Sequence, residues 1–243
     1  MLAKLKADSD AIMERDPAAG SRLTAIFIYP SLQVMLAYRL SHPMWAAGMR
    51  FIPRLIMQIA RWLTGIEIHP AAKIGKGFFV DHGMGVVIGE TAEIGENVTL
   101  YHGVTLGGVM PAIDAVSQRC LKRHPTLLDD VIVGAGAQIL GPVTVGRCAR
   151  VGGNSVVTKD VADGVTVVGV PAKVVSRAKS DASFEAYGVS KIADDADSKA
   201  VNALFAEIEL LRAKLNQLAG KDASVIDPHT PASTSHEPPH IDK

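Results

Sequence analysis

Glu67 and His82 are a carboxylate and an imidazole that could form a catalytic pair, and they are close in the sequence. A carboxylate beside an imidazole fixes the tautomer of the ring and stabilises its protonated form, which a general base requires. Asp81 directly precedes His82 and adds a second carboxylate at the same place. The pattern predicts general-base chemistry at His82 if the fold brings Glu67 beside it.

A second polar group, Lys122-Arg123-His124, ends a loop at 109–124 that lacks the pattern of the segments around it. Long loops that interrupt a regular architecture are often functional. Two or three nitrogen donors at the end of this loop suit a carboxylate or a phosphate group. A solvated basic cluster explains the same residues equally well, so the sequence leaves both interpretations open.

Aliphatic residues that recur every six positions predict the elements that position both groups. A six-residue period fits neither a helix nor one long strand, but it fits a prism of short strands whose aliphatic side chains stack from coil to coil. Such coils cannot bury their interior alone, so they must stack. The pattern predicts a left-handed parallel β-helix, and its constant phase disfavours the alternative of an ordinary β-sandwich. The recurring positions are Ile68, Ile74, Val80 and Val86, then Ile88, Ile94, Leu100 and Leu106, and finally Val133, Ile139, Val145, Val151 and Val157.

The length of one coil determines whether Glu67 and His82 can be neighbours. Three hexads complete one turn of such a prism, and the separation between Glu67 and His82 is close to that length. The two residues could therefore be near neighbours on adjacent coils.

Histidines at three places on such a prism, His82, His102 and His124, raise the question of a metal site. Zinc-binding β-helix hydrolyases take histidine ligands from coil faces, including a closely spaced histidine pair. That pair is missing here, so we expect no metal cofactor. His69 and His102 are interpreted as surface or corner residues.

Small residues at 134–137 and 152–155 leave the backbone open along the second block of repeats. A long, thin ligand could lie along the prism over these segments. Lys173 follows the last repeat, where its ammonium group could meet a phosphate.

A helical region at 1–65 is predicted to precede a β-helix domain at 66–176. Asp16 before Pro17 predicts the N-cap and first turn of a helix. A further helical pattern over 21–42 is interrupted at Pro30.

The most apolar stretch of the chain, 43–63, places Arg50, Arg54 and Arg61 on one helical face. These charges argue against a membrane span. The stretch is interpreted as an amphipathic helix packed on the prism or on a partner subunit, with peripheral membrane contact as the minor alternative.

Balanced charge and few cysteines limit the classes of partner and compartment. The chain has 243 residues, with 25 basic and 25 acidic side chains. This balance argues against nucleic acid or a membrane as the main partner. Two cysteines, Cys120 and Cys148, and a charged N-terminus without an export signal predict a reduced, cytoplasmic location.

Beyond the β-helix, residues 177–219 are predicted to form a linker and a helix. Apolar residues over 198–218 alternate at spacings of three and four, which suits a coiled coil. Packing of this helix on its own prism is the alternative. The tail at 220–243 is rich in Pro, Ser, Thr and His and is predicted to be disordered.

Several motifs in the chain carry a family resemblance over roughly residues 10–176. The hexapeptides and the closing Pro-Ala-Lys are shared by many acyltransferases, whereas Asp-His-Gly, Gly-Glu-Thr-Ala and Arg-His-Pro in this order are more specific. On these motifs the chain resembles the serine O-acetyltransferases of the hexapeptide-repeat acyltransferase superfamily. The motifs begin at Glu67 (EIHPAA), Val80 (VDHG), Val87 (VIGETA), Val104 (VTLGG), Arg123 (RHP) and Gly169 (GVPAK).

This resemblance implies transfer of the acetyl group of acetyl-CoA to the hydroxyl of L-serine, the first step of cysteine biosynthesis from serine. It implies that His82 takes the hydroxyl proton and that Glu67 is the carboxylate of the dyad. By charge, Arg123 would bind the serine carboxylate and an Asp the ammonium group. The implied serine-binding residues are Asp16, Asp81, Arg123 and His124.

The resemblance also implies where acetyl-CoA binds. Backbone N–H groups near Gly107 and Gly108 would stabilise the tetrahedral oxyanion. The pantetheine arm would run past Ala135 toward Lys173.

Oligomerisation is part of what the resemblance implies, because the family's site lies between neighbouring subunits of a homotrimer. Longer members pair trimers through a larger N-terminal domain, so a dimer of trimers stays open here. Cysteine is expected as a feedback inhibitor. The family's complex with O-acetylserine sulfhydrylase uses a terminal isoleucine, and because Ile241 is not the last residue, that complex also stays open.

Two other functions remain as alternatives at this stage. An acetyltransferase for a sugar or antibiotic hydroxyl would keep His82 but would not need Asp16, Asp81 and Arg123 together. A catalytically silent β-helix scaffold would leave these residues without a role.

Overall fold

The computed structural model describes residues 2–109, 121–177 and 204–212. The chain divides into two compact units, Met1–Ser190 and Lys191–Lys243. In the second unit residues 204–212 are helical, and the rest of the proposed coiled-coil segment lies outside the described residues. The proposed disordered tail, Cys120 and most of the loop at 109–124 also lie outside them.

Fifteen short strands lie in the described part of the first unit. Fourteen follow the prism and the last folds back on its end. In chain order they are β1 (Glu67–Ile68), β2 (Lys73–Ile74), β3 (Phe79–Val80), β4 (Val87–Ile88), β5 (Glu93–Ile94), β6 (Thr99–Leu100), β7 (Thr105–Gly107), β8 (Thr126–Leu127), β9 (Ile132–Val133), β10 (Gln138–Leu140), β11 (Thr144–Val145), β12 (Arg150–Val151), β13 (Val156–Val157), β14 (Val165–Val168) and β15 (Lys173–Arg177).

Three sheets form the three faces of the prism. Face A has the order β1-β4-β7-β10-β13, face B has β2-β5-β8-β11, and face C has β3-β6-β9-β12-β14 with β15 antiparallel at its end. The chain turns from face C to face A at the C–A corner (81–86, 101–104, 134–137 and 152–155). It turns from face A to face B at the A–B corner (69–72, 89–92, 108–125 and 141–143).

The hexapeptide residues stack inside the prism as the repeat predicts. On face A, each aliphatic residue pairs in register with its copy one coil away, and every member of the column is 2% exposed or less. Burying each such side chain contributes roughly 1.5–3 kcal/mol. The predicted fold class, N-terminal helices followed by a parallel β-helix, is confirmed. The face A column is Ile68, Ile88, Leu106, Ile139 and Val157.

Two coils are longer than three hexads, and both irregularities fall at candidate site residues. Glu67 pairs with Val87, and this coil is lengthened because the C–A corner at 81–86 is longer than its equivalents on later coils. Thr105 pairs with Gln138, and this coil is lengthened because the long loop leaves the prism at the A–B corner.

Four helices precede the prism: α1 (Leu2–Arg15), α2 (Arg22–Ile28), α3 (Pro30–Ala46) and α4 (Phe51–Thr64). The break at Pro30 is confirmed, but the helix expected to begin at Asp16 is wrong. Ser21 is the N-cap instead, and its hydroxyl accepts the Thr24 N–H. Asp16 lies in a turn, where its carboxylate accepts the Ala18 N–H.

Helix side chains cover the open end of the prism, where the first coil has no earlier coil to pair with. The Tyr38 hydroxyl donates to the Ala72 carbonyl (2.6 Å) and accepts the Ile74 N–H (3.1 Å). The Ser31 hydroxyl accepts the Val80 N–H (2.9 Å). Side chains from α3 therefore satisfy strand groups that would otherwise be buried without partners.

A buried ion pair completes this cap. Asp8 of α1 and Arg39 of α3 are almost fully buried, with an Nη2–Oδ2 distance of 3.2 Å. Arg39 also donates to the carbonyls of Ile74 (2.7 Å) and Gly75, and Asp8 accepts the Phe78 N–H (3.1 Å). Burial raises the pKa of Asp8, and Arg39 opposes that rise.

Helix α4 packs one stripe inward and leaves a second apolar stripe exposed. The inward stripe is Pro53, Met57, Ala60 and Thr64. No single described helix is long and apolar enough to cross a membrane, although α2 and α3 together reach that length and composition with a bend of 73° between them. The exposed apolar residues of α4 are Phe51, Ile52, Leu55, Ile59, Trp62 and Leu63.

Candidate active site

His82 lies in the long turn of the C–A corner, between β3 and β4. The turn closes tightly, since the Gly83 N–H bonds the Asp81 carbonyl (2.7 Å). His82 itself has a φ of 61°, in the left-handed region that non-glycine residues adopt uncommonly. Its side chain is 73% exposed. The extra length of this corner therefore presents an imidazole at the surface of the prism.

Acidic residues surround this turn. Asp81 Oδ1 lies 3.8 Å from His82 Nε2, too far for a hydrogen bond but close enough for strong electrostatic coupling. Burial raises the pKa of Asp81; the His82 ring opposes that rise, and Asp16 adds to it. Asp16 accepts a hydrogen bond from the Tyr29 hydroxyl, which raises the pKa of Tyr29 to about 12. The turn after α1 thus brings Asp16 to the C–A corner.

Glu67 is on the coil adjacent to the His82 turn, but its carboxylate has another partner. The Glu67 N–H donates to the carbonyl of Val86, at the end of the turn (2.8 Å). The carboxylate pairs with Arg61 of α4, with an Nη1–Oε2 distance of 2.9 Å. Among the described ranges, no ion pair joins Glu67 to His82, and Asp81 is the carboxylate closest to that ring.

Arg123 lies at the A–B corner, where the long loop returns to the prism. Its Nη2 pairs with Glu90 Oε2 of the preceding coil at 2.6 Å. Its Nε is buried and has no hydrogen-bond partner among the described residues. Lys122 donates to the Thr91 carbonyl at 2.7 Å. These contacts give Lys122 and Arg123 defined partners, whereas the solvated-cluster alternative requires none.

His124 is held against the coil below it. Its Nδ1 lies 3.1 Å from the Thr91 nitrogen and 2.9 Å from Thr91 Oγ1. The ring lies directly over Gly89, where an added Cβ would come within 2.0 Å of His124 Cδ2. Burial lowers the pKa of His124, and the neighbouring Arg123 cation adds to this effect.

Within one chain, the predicted site residues form two groups rather than one. Asp16, Asp81 and His82 meet at the C–A corner, and Arg123 and His124 meet at the A–B corner. The two corners bound opposite edges of face A. A single prism therefore does not bring the general-base candidate to the anion-binding candidates.

The C–A corner continues as an open column along the prism. The His82 and His102 rings contact edge to face, 5.6 Å apart, and the next coils add Gly136 and Asn154, linked by main-chain hydrogen bonds. Ala135 lies in this column, and Lys173 is exposed just past its far end.

Gly107 and Gly108 lie away from this column, where the long loop begins. A Cβ added at Gly108 would lie 3.8 Å from the Arg123 carbonyl oxygen. Gly107 is thus the last residue of β7, and Gly108 begins the A–B corner.

Sequence reasoning assigned no role to Tyr29, Glu90 and Thr91, which hold Asp16, Arg123 and His124. Glu90 and Thr91 occur in the Gly-Glu-Thr-Ala motif, and their position on the same corner as Arg123 could have been found by counting coils through the loop.

His69 is half-buried against Trp45, and burial lowers its pKa to about 4. Within the described part of the chain, no cluster of three His, Cys, Asp or Glu residues could hold a metal ion.

Comparison with known proteins gives relatives that span most of the chain. A serine acetyltransferase of Bacillus pumilus is 50% identical over 171 residues, covering 70% of this chain and 76% of its own length. One from Synechocystis is 44% identical over 241 residues, covering 98% and 93%. The chain belongs to the serine acetyltransferase family. A match to the bacterial transferase hexapeptide (six repeats) family covers residues 124–159.

Solved structures of serine acetyltransferases share this fold. The soybean enzyme in complex with serine is 40% identical, with a TM-score of 0.67 over 71% of this chain and 68% of its own. The Brucella abortus enzyme in complex with coenzyme A is 35% identical, with a TM-score of 0.67 over 73% and 68%. A serine acetyltransferase in complex with cysteine is 35% identical, with a TM-score of 0.67 over 72% and 70%. As a member of this family, the chain is an acyltransferase, and its activity is serine O-acetyl transfer.

Proposed function

We propose that this acetyl transfer from acetyl-CoA to L-serine uses His82 as the general base. The observation that carries the proposal is the exposed His82 side chain in a turn lined by acidic groups. His82 takes the proton of the serine hydroxyl while the serine oxygen attacks the thioester carbon. The tetrahedral intermediate then expels the CoA thiolate, which receives that proton from the imidazolium.

Serine is held by opposite charges on its two ends. Arg123 binds the serine carboxylate as a charge-assisted pair, and its buried Nε is a donor available for that purpose. Asp81 and Asp16 bind the ammonium group from the C–A corner, and His124 contacts the substrate beside Arg123. The soybean relative in complex with serine supports an amino-acid acceptor over a sugar or antibiotic.

Glu67 is proposed as the carboxylate that orients His82. It stands on the adjacent coil, and its side chain is 44% exposed, so its carboxylate can leave Arg61 and reach the imidazole. Asp81 is then free to bind substrate.

Acetyl-CoA lies along the open column of the C–A corner. The pantetheine arm passes Ala135, and Lys173 meets a phosphate at the far end. Backbone N–H groups near Gly107 and Gly108 stabilise the oxyanion. The Brucella abortus relative in complex with coenzyme A supports this ligand, and the proposal includes no metal.

A homotrimer brings the two corners together. The C–A corner of one subunit faces the A–B corner of the next, so each site takes His82 from one chain and Arg123 from its neighbour. The exposed apolar stripe of α4 supports burial of further surface between subunits. Assembly into a dimer of trimers and a complex with O-acetylserine sulfhydrylase stay predictions.

The product and the shape of the proposed site suggest a metabolic role and a mode of inhibition. O-acetyl-L-serine is an activated serine, so we propose a cytoplasmic role at the first step of cysteine biosynthesis. Cysteine shares the amino and carboxylate groups of serine and would occupy the site as a feedback inhibitor. The relative in complex with cysteine supports this proposal.

Release of free thiol from acetyl-CoA, with and without L-serine, tests the function. We expect serine-dependent release that falls by at least about 10²-fold in His82→Ala, since a general base contributes roughly 10²–10⁴-fold. His42→Ala is the matched control, because His42 belongs to helix α3 and its ring bonds the Pro70 carbonyl rather than a proposed site residue. Thiol release with other hydroxyl compounds but not with serine would contradict the proposed serine site. Full activity of His82→Ala would contradict the assignment of His82 as the general base.

A further inference from the structure

We infer that Thr91 is a positioning residue that holds His124 as the neutral tautomer with its proton on Nε2. This inference deepens the proposed function, because it assigns His124 the role of a hydrogen-bond donor to the substrate. His82 and His124 then have different jobs: one removes a proton and the other gives only a hydrogen bond.

The contacts of Thr91 determine the tautomer. The Thr91 hydroxyl oxygen accepts two main-chain N–H groups, from Arg123 (2.9 Å) and His124 (3.1 Å). With both of its acceptor positions used, its own proton points to His124 Nδ1, 2.9 Å away. The Thr91 main-chain N–H also donates to Nδ1, at 3.1 Å. Two donors aimed at Nδ1 require a lone pair there, so the ring proton is on Nε2.

The surroundings keep the ring in this state. The ring packs against the backbone of Gly89, where any side chain would clash with it. The charges that face it are Arg123 and Lys122 from its own segment and Glu90 from the preceding coil, and the His69 ring also lies within electrostatic range. Burial and the two cations disfavour a second proton.

A fixed Nε2–H has a direct chemical consequence. It can donate to an oxygen of the substrate, but it cannot accept a proton, so His124 cannot replace His82 as the base. Beside Arg123 it provides a neutral donor for the same anionic group. Because the ring is neutral, it avoids the electrostatic repulsion that a protonated His124 would have with Arg123.

The first test is ¹⁵N NMR of histidine-labelled wild-type protein, with the His124 signals assigned by their loss in His124→Asn. We expect an unprotonated Nδ1 and a protonated Nε2 that persist as the pH is lowered from about 8 to about 6, a range in which an unperturbed histidine gains its second proton. A proton on Nδ1 in this range, in either the neutral or the cationic ring, would overturn the inference.

The second test compares substitutions at Thr91. Thr91→Val removes the hydroxyl but keeps the shape, and we expect His124 to gain its second proton at a higher pH and kcat/KM for serine to fall about tenfold. Thr91→Ser keeps the hydroxyl and should restore both. Thr144→Val is the control, because it makes the same exchange in β11, away from the corner. Unchanged His124 signals in Thr91→Val would count against the positioning role.

The two proposals fail separately. Wild-type protein with the expected His124 signals but no serine-dependent thiol release would remove the proposed function and leave the tautomer assignment standing. Serine-dependent release with the opposite tautomer would do the reverse.

Discussion

Three histidines of this chain show how local surroundings decide what an imidazole can do. The His82 side chain is exposed, and its Nε2 lies 3.8 Å from the Asp81 carboxylate. His124 is held at Nδ1 by Thr91, and in the proposed site its other ring nitrogen donates to the substrate. His69 accepts the Ala71 N–H at Nδ1, and because burial lowers its pKa to about 4 it stays neutral and structural. Residue type alone does not separate these roles.

Asp81 combines function with a cost in stability. Because burial raises its pKa above the unfolded value of 3.8, the folded protein binds the proton more tightly than the unfolded chain does. Stability therefore falls as the pH rises through the folded pKa, and the loss is complete above it. Asp81→Asn should raise the thermal midpoint at neutral pH, and the gain should vanish as the pH falls below the unfolded value of 3.8.

The same variant should bind serine poorly, and thermal scans at both pH values with steady-state kinetics test both effects. We expect KM for serine to rise about tenfold in Asp81→Asn, because an ion pair with the ammonium group is lost. Glu67→Gln is the comparison, and it should lower kcat with a smaller change in KM. A fall in kcat alone for Asp81→Asn would make Asp81 the orienting carboxylate.

At the level of elements, the N-terminal helices cap the open end of the prism. The first coil offers strand groups that no earlier coil can satisfy, and Tyr38, Ser31, Arg39 and Asp8 satisfy them. The same packing brings the turn after α1, with Asp16, to the His82 corner. In the proposed site, closing the prism and placing Asp16 for substrate binding are thus linked.

Within this cap, substitution in the buried Asp8–Arg39 pair should destabilise the protein most. Arg39→Met leaves Asp8 buried without its partner, so we expect a loss of roughly 3–5 kcal/mol in the free energy of unfolding. Urea denaturation measures this loss, and the double variant Asp8→Leu with Arg39→Met should recover much of it. Arg22→Met, which removes a more exposed pair with Asp10, should cost no more than about 1 kcal/mol. Equal losses for the two arginines would contradict the capping role.

At the level of the whole molecule, the proposed site makes assembly part of the chemistry, because the two corners are separate within one chain. One prism holds the base at one edge of face A and the anion-binding residues at the other. The proposed site, which combines them, needs a second copy, because the paired strands of face A separate the two corners. Dissociated subunits should therefore be inactive.

Mixed trimers test the shared site directly. His82→Ala and Arg123→Ala should each be nearly inactive alone. Co-expressed in equal amounts, they should regain about one quarter of wild-type activity, because one interface in four then joins an intact His82 to an intact Arg123. Thiol release from the whole trimer population, with mixed and pure trimers left together, measures the recovery. No recovery in trimers that contain both chains would place the whole site within one subunit.

The sequence by itself determined the prism, its core and the chemistry-bearing residues. The six-residue period sets the coil, because a buried aliphatic residue must recur once per face, and its two irregularities fall at 81–86 and at the loop. The motifs that carry the family resemblance also lie in the chain as contiguous segments. All of this is local information that does not depend on how coils pair.

Only the tertiary structure decided which residues meet. Coil stacking brings Thr91 to His124 and Glu90 to Arg123 across the whole length of the loop, and helix packing brings Asp16 to the C–A corner. The Arg61 partner of Glu67 and the assignment of His82 and Arg123 to different corners were likewise set by the fold. Counting coils could place Glu90, Thr91 and Arg123 on one corner, but the contacts themselves depend on side-chain packing and on the helices that cover the prism.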